Sequence, residues 1–168
     1  MRFLLVPGRG VPYPEHWSWQ WARTLPGCAW APEPPGPPYL AGERVAALHA
    51  ALTADDEPAV LIAHSAGCLT VAHWAARHTG PVRAALLVTP PFVGDEAPHD
   101  PLPMRSVVVA SRTDPHATFA QATRMAADWG AQLYDAGPVG HLDSKTGFGP
   151  WPDGERLLRE LAHRGAEA

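Results

Sequence analysis

Ala59-Val60-Leu61-Ile62-Ala63-His64-Ser65-Ala66-Gly67-Cys68-Leu69-Thr70-Val71-Ala72-His73-Trp74-Ala75-Ala76 is the stretch on which the reading of this chain turns. Its opening run is apolar without a break, which suits a strand buried on both faces. From Cys68 onward the pattern reads as a helix. Ser65 lies between the two, among small residues. A strand, a tight turn presenting a serine and then a helix describe a nucleophile elbow. In such a turn the serine is forced into a strained backbone conformation that lifts its hydroxyl above the sheet. The strand and helix then pass too close for bulk two positions to either side. Gly67 meets that demand fully, and Ala63 is the smallest side chain that could stand where a glycine is usual. The competing reading of Ser65 is a plain helix N-cap, so the remainder of the chain has to discriminate.

Working outward, short apolar runs recur at Phe3 to Val6, Ala84 to Thr89 and Ser106 to Ala110, with weaker ones at Cys28 to Ala31 and Ala131 to Tyr134. Helical patterns fall between them. Ala41 to Ala51 puts Val45, Leu48 and Leu52 on one face, and Ala117 to Trp129 does the same with Phe119, Ala122, Met125 and Trp129. A last helix is expected near Asp153, with Pro152 beside its start and Leu157, Leu158 and Leu161 buried. Apolar strands alternating with helices imply a three-layer α/β/α sandwich around a mostly parallel sheet of about six strands. Right-handed crossovers place every strand-to-helix loop along one edge, where ligands bind in such sheets. The 20 prolines cluster between the apolar runs and mark loops, since proline does not sit in central strands.

The 168 residues, 46% hydrophobic and 18% charged, read as a single domain over 1–168 with a sizeable core. A net charge of −4 and a lone lysine, Lys145, argue against nucleic acid as a partner. No apolar run is long enough for a membrane span, and the N-terminus reads as a first strand rather than a signal peptide. Cys28 and Cys68 show neither metal spacing nor a disulfide framework, which favours a reducing, cytoplasmic setting. Cys68 reads as core rather than as a thiol nucleophile. None of the nine histidines falls in a metal-site pattern such as His-Glu-x-x-His, so neither metal nor cofactor is expected.

The order of chemical groups supports the nucleophile reading. Asp114 follows the run Ser106 to Ala110, and His141 follows the run ending at Tyr134 through a glycine-rich approach. Serine, acid and histidine at successive strand ends is the order found on elbow-bearing sheets. His141 would take the Ser65 proton, while Asp114 would fix the histidine tautomer and stabilise the imidazolium. Asp95, Asp100, Asp135 and Asp143 are weaker acids by position, Asp95 the best of them. The oxyanion needs two backbone donors, expected from Ala66 and, in the loop Pro7-Gly8-Arg9-Gly10, from Arg9. The remaining histidines read as helix residues (His49, His73, His78, His163) or loop residues (His16, His99, His116), with His64 packing beside the nucleophile.

These residues resemble the small α/β-hydrolases related to retinoblastoma-binding protein nine. The resemblance runs nearly the full length, on Val6-Pro7-Gly8, Glu15-His16-Trp17, His64-Ser65-Ala66-Gly67-Cys68, Ala72-His73-Trp74, Asp114-Pro115, Gly140-His141 and Gly147-Phe148-Gly149-Pro150-Trp151-Pro152-Asp153-Gly154. It implies a compact α/β-hydrolase fold without a cap domain, with Ser65, Asp114 and His141 as the triad. Ala63, Arg9 and Asp143 depart from the family pattern. Trp17, Phe92 and Trp151 are expected to wall an open cleft for a small ester, amide or short peptide, with Trp19 and Trp21 as core anchors. A monomer or small homo-oligomer is expected. The alternative is a non-catalytic protein-interaction module that keeps the fold.

Overall fold

The computed structural model describes residues 1–164; the last four residues of the domain expected over 1–168 lie outside the described residues. Six strands form one sheet: β1 (Arg2–Val6), β2 (Cys28–Trp30), β3 (Ala59–His64), β4 (Val82–Val88), β5 (Arg105–Ala110) and β6 (Gln132–Asp135). Their spatial order is β2-β1-β3-β4-β5-β6. Every pairing is parallel. Five helices accompany them, α5 following the last strand: α1 (Trp17–Thr24), α2 (Ala41–Thr53), α3 (Ala66–Arg77), α4 (Phe119–Trp129) and α5 (Pro152–His163). The chain leaves β1 toward one edge and returns to β3 on the other side of it. The strand order therefore reverses between β1 and β3, the switch point at which such sheets open a crevice.

Side-chain alternation along the strands divides the core into two layers. Leu4, Val6, Leu61, Ala63, Leu87 and Val108 face α2, α3 and α4, where Leu48, Val71, Trp74 and Trp129 meet them. Leu5, Val60, Ile62, Leu86, Val88 and Val109 face α1 and α5, where Trp17, Trp21, Leu157, Leu158 and Leu161 pack. Fully burying one such leucine or isoleucine stabilises the fold by about 2 kcal/mol. The helix ends are set locally. Thr118 and Gln121 form a capping box at the start of α4, and Gly130 closes it in the left-handed region at φ 65°. Pro152 opens α5 at its first position, where its missing N–H costs nothing.

One element departs from the sequence reading. Trp17, Trp19 and Trp21 lie on a helix, α1, that the sequence pattern did not announce. Their alternate spacing masks the helical pair Trp17 and Trp21, whose rings pack with centroids 4.7 Å apart. His16 caps this helix, its ring accepting from the Ser18 N–H.

The elbow depends on the approach of α3 to β1. A Cβ on Gly67 would fall 2.1 Å from the Val6 carbonyl oxygen and 3.0 Å from that of Pro7. Both obstacles are backbone and cannot yield without moving the sheet. Gly67→Ala should therefore destabilise the protein by about 3 kcal/mol, at the upper end for overpacking. Urea unfolding measures it, and an unchanged midpoint would contradict the close approach.

Candidate functional site

Because all six strands are parallel, the ends of β3, β5 and β6 reach the same edge, and each delivers one polar side chain there. Ser65 leaves β3 with φ 55° and ψ −124°. That is a left-handed φ which L-residues other than Asn and Asp rarely adopt. Its amide donates to the Val88 carbonyl at 2.9 Å, which holds the turn against β4. The expected Asp114 and His141 arrive beside it. Ser65 Oγ is 2.7 Å from His141 Nε2, and His141 Nδ1 is 2.9 Å from Asp114 Oδ1. The carboxylate can only accept, so Nδ1 carries the ring proton and Nε2 presents its lone pair to the Ser65 hydroxyl. The side chains of His141 and Asp114 are 6% and 3% exposed, which shields their interaction from water. Asp114 Oδ1 also accepts from the His116 amide at 3.0 Å.

The His141 segment is held by donors that no motif announces. His64 Nε2 and Thr89 Oγ1 both donate to the His141 carbonyl, at 2.9 and 3.1 Å. His16 Nε2 and Trp17 Nε1 donate to the next carbonyl, Leu142, at 2.8 and 2.9 Å. Leu142 itself sits at φ 48°, a strained conformation that these bonds help to hold. His16 is a loop residue, as expected, but at the N-cap of α1 it is 1% exposed and braces the site. His64 lies between the His16 and His141 rings, with centroids 5.4 and 5.3 Å away. Burial pushes its pKa from 6.5 down to about 3. Burial also lowers the pKa of His16. Both rings are neutral near pH 7, with Nε2 as the donor.

A cleft of about 380 Å³ opens over Ser65 and His141. Pro7, Gly8 and Arg9 form one side, Val11 and Tyr13 the outer rim, and His116 the flank beside His141. The His116 ring lies 4.4 Å from that of His141, a placement set by the Asp114-Pro115 turn and not read from sequence. Trp17 borders the cleft, but its ring is fully buried and its indole N–H is committed to Leu142. The other two expected walls are corrected. Trp151, 4% exposed, lies inside the α1–α5 layer, its ring stacked on Trp21 and pressed against Gly154. Phe92 packs against the opposite core layer, among residues facing α3 and α4. Tyr13 and Val11 stand at the rim instead, 60% and 56% exposed.

The segments that carry Ala66 and Arg9 lie side by side at the serine. Ala66 is the first residue of α3, so its N–H has no intrahelical acceptor. Gly8 lies against the serine turn: a Cβ on it would be 3.3 Å from Ser65 Cβ and 3.8 Å from the Ala66 nitrogen. The Gly8–Arg9 peptide thus runs alongside the nucleophile turn. Cys68 stays protonated, because burial pushes its thiol up. Burial pushes the Asp143 carboxyl up as well, but hydrogen bonds from Thr146 outweigh that and hold it below its ordinary value. Among the described residues no group of three or more His, Cys, Asp or Glu side chains could hold a metal ion, and no helix is long and apolar enough to cross a membrane.

Residues 3–160 match the serine hydrolase family. A YdeN-like hydrolase from Pectobacterium atrosepticum is 28% identical, with 98% of this chain and 91% of that one covered at a TM-score of 0.90. The ydeN gene product from B. subtilis is 19% identical, with 95% and 97% covered at a TM-score of 0.73. A carboxylesterase from Mesorhizobium loti is 21% identical, with 96% and 88% covered at 0.63. The last two likenesses show the fold. No curated protein matches the sequence.

The buried neutral histidines make stability depend on pH. The unfolded chain takes up a proton near pH 6.5 that folded His64 refuses until about 3. Stability is therefore full above 6.5 and falls as the solution is acidified, by up to about 1.4 kcal/mol per pH unit for this ring alone. His64→Asn, which keeps an N–H donor, should flatten the dependence by that one proton. Urea unfolding at a series of pH values tests it; an equally steep variant would refute the assignment.

Proposed function

Because the chain belongs to the serine hydrolase family, we propose that it cleaves small esters or amides through an acyl-enzyme formed on Ser65. The observation that carries this reading is the hydrogen-bonded series Ser65–His141–Asp114, at 2.7 and 2.9 Å, on a serine held at φ 55°. Ser65 Oγ attacks the substrate carbonyl carbon while His141 Nε2 takes the hydroxyl proton. Asp114 keeps Nδ1 protonated and offsets the charge of the imidazolium. The carbonyl electron pair moves to oxygen, where the N–H groups of Ala66 and Arg9 receive it. Collapse of the tetrahedral species breaks the bond to the leaving group, which departs with the proton from His141. Water then adds to the acyl carbon, giving its proton to His141. The acyl–Oγ bond breaks, Ser65 regains its proton and the carboxylic acid leaves.

The cleft supports a small acyl group. It is open at the rim, its outer side is formed by Val11 and Tyr13, and among the described residues no inserted segment roofs it. A long acyl chain would project into solvent and gain little from burial.

A fluorophosphonate probe should label the protein at Ser65, and Ser65→Ala should remove labelling and lower kcat roughly a million-fold. Folded protein that is neither labelled nor active would sink the reading. In a p-nitrophenyl ester series, kcat/KM should be highest for acetate and butyrate and fall steeply with longer chains. A preference for long acyl chains would contradict the open cleft.

A further inference from the structure

Arg44 stands on α2 among Val45, Leu48 and Leu52, in a position where an apolar side chain would pack, and it is only 3% exposed. Burying a guanidinium is costly unless its charge and donors are met. Among the described residues no carboxylate pairs with it. Its bonds go instead to backbone carbonyls: Nη1 to Pro7 and Gly8 at 3.3 and 3.1 Å, Nη2 to Gly36 and Pro38 at 2.7 and 3.5 Å. Two of these four belong to the loop that borders Ser65.

The Gly8 carbonyl is the oxygen of the peptide whose N–H belongs to Arg9. A trans peptide is planar, with oxygen and hydrogen on opposite sides. Holding the Gly8 oxygen therefore decides where the Arg9 N–H points. Glycine makes this hold necessary, because Gly8 is free to rotate through conformations closed to other residues. A cation on the carbonyl also polarises the amide and strengthens its N–H as a donor. The same cluster extends to the second donor. The Tyr39 ring lies under the guanidinium groups of Arg44 and Arg9, at 5.0 and 5.1 Å. Its hydroxyl reaches the Ala66 carbonyl at 3.1 Å and Thr70 Oγ1 at 3.2 Å, near the start of α3. One buried cation and one phenol thus tie the β1 loop to the helix that begins at Ala66.

We propose that Arg44 is a positioning residue that fixes the Gly8–Arg9 peptide so that its N–H receives the developing oxyanion. The inference rests on the hydrolase reading of Ser65. Arg44 never touches substrate; it acts through the peptide it holds. Its effect belongs to the tetrahedral state, in which the carbonyl oxygen carries charge, and not to the bound ester.

The experiment compares Arg44→Lys and Arg44→Met with wild type on p-nitrophenyl acetate, with active sites titrated so that only folded, labelled protein is counted. Arg44→Met should lower kcat about ten- to hundredfold, short of the loss seen when a donor is removed outright, while KM stays within about twofold. Arg44→Lys keeps the charge without the fork and should lose less. Affinity for a phenylboronic acid, which forms a tetrahedral adduct on serine, should fall by the same factor as kcat. The pH midpoint of the rate should stay where it is in wild type, since the histidine and its acid are untouched. A merely structural arginine would lower the unfolding midpoint and leave kcat per titrated site and boronate affinity unchanged; that result overturns the proposal. If Arg44→Met does not fold, Arg44→Lys carries the same comparison. Wild type that neither turns over nor labels would fail the Ser65 reading itself, whereas active wild type with fully active variants fails Arg44 alone.

Discussion

Gly67 and the Val6–Pro7 backbone lie so close that no side chain fits between them, and the site is organised around that contact. The approach brings α3 down onto β1 and forces the chain to turn sharply at the end of β3. Ser65 absorbs the turn at φ 55°. A strained residue of this kind costs of order 1–3 kcal/mol and persists only where its surroundings over-determine it. Here they do: β3 is buried between β1 and β4, and the Ser65 amide is bonded to Val88. The same contact draws the loop after β1 to the side of the serine, where Gly8 meets Ser65 Cβ. One backbone approach thus sets the nucleophile's conformation and the position of the peptide beside it.

The polar groups around this contact are met almost wholly by backbone. His64 and Thr89 hold the His141 carbonyl, and His16 and Trp17 hold that of Leu142. Arg44 holds the Pro7 and Gly8 carbonyls. Loops of a small domain cannot rely on hydrophobic burial for their conformation, because they carry the polar edge of the sheet. Directional hydrogen bonds from buried side chains take over that role. Their neutrality matters too: His16 and His64 donate without bringing a charge next to His141, since burial keeps both rings deprotonated.

The aromatic residues divide between two tasks that look alike in sequence. Trp21 and Trp151 stack inside the α1–α5 layer, at 5.8 Å with an interplanar angle of 6°. Trp17 touches the same layer and the cleft, so it connects packing to the site. Tyr13 is exposed at the rim, and Tyr39 is half-buried between two arginines. A ring's role follows from which face of its element it occupies, and the α1 helix was hidden by tryptophans at alternate positions.

Much was legible from local pattern. The apolar run before Ser65, the helix after it and the small residues between them are short-range features, and their chemistry admits few folds. The order of Asp114 and His141 at later strand ends followed from alternation of strands and helices, because a parallel sheet sends every such loop to one edge. Sequence alone therefore determined the sheet, the elbow and the three residues brought together there. Tertiary structure decided what surrounds them. Nothing local distinguishes Arg44 from a solvated helix arginine, His16 from a loop histidine, or Trp151 from a cleft wall. Their roles depend largely on partners distant in the chain, and only the packed layers bring those partners into contact.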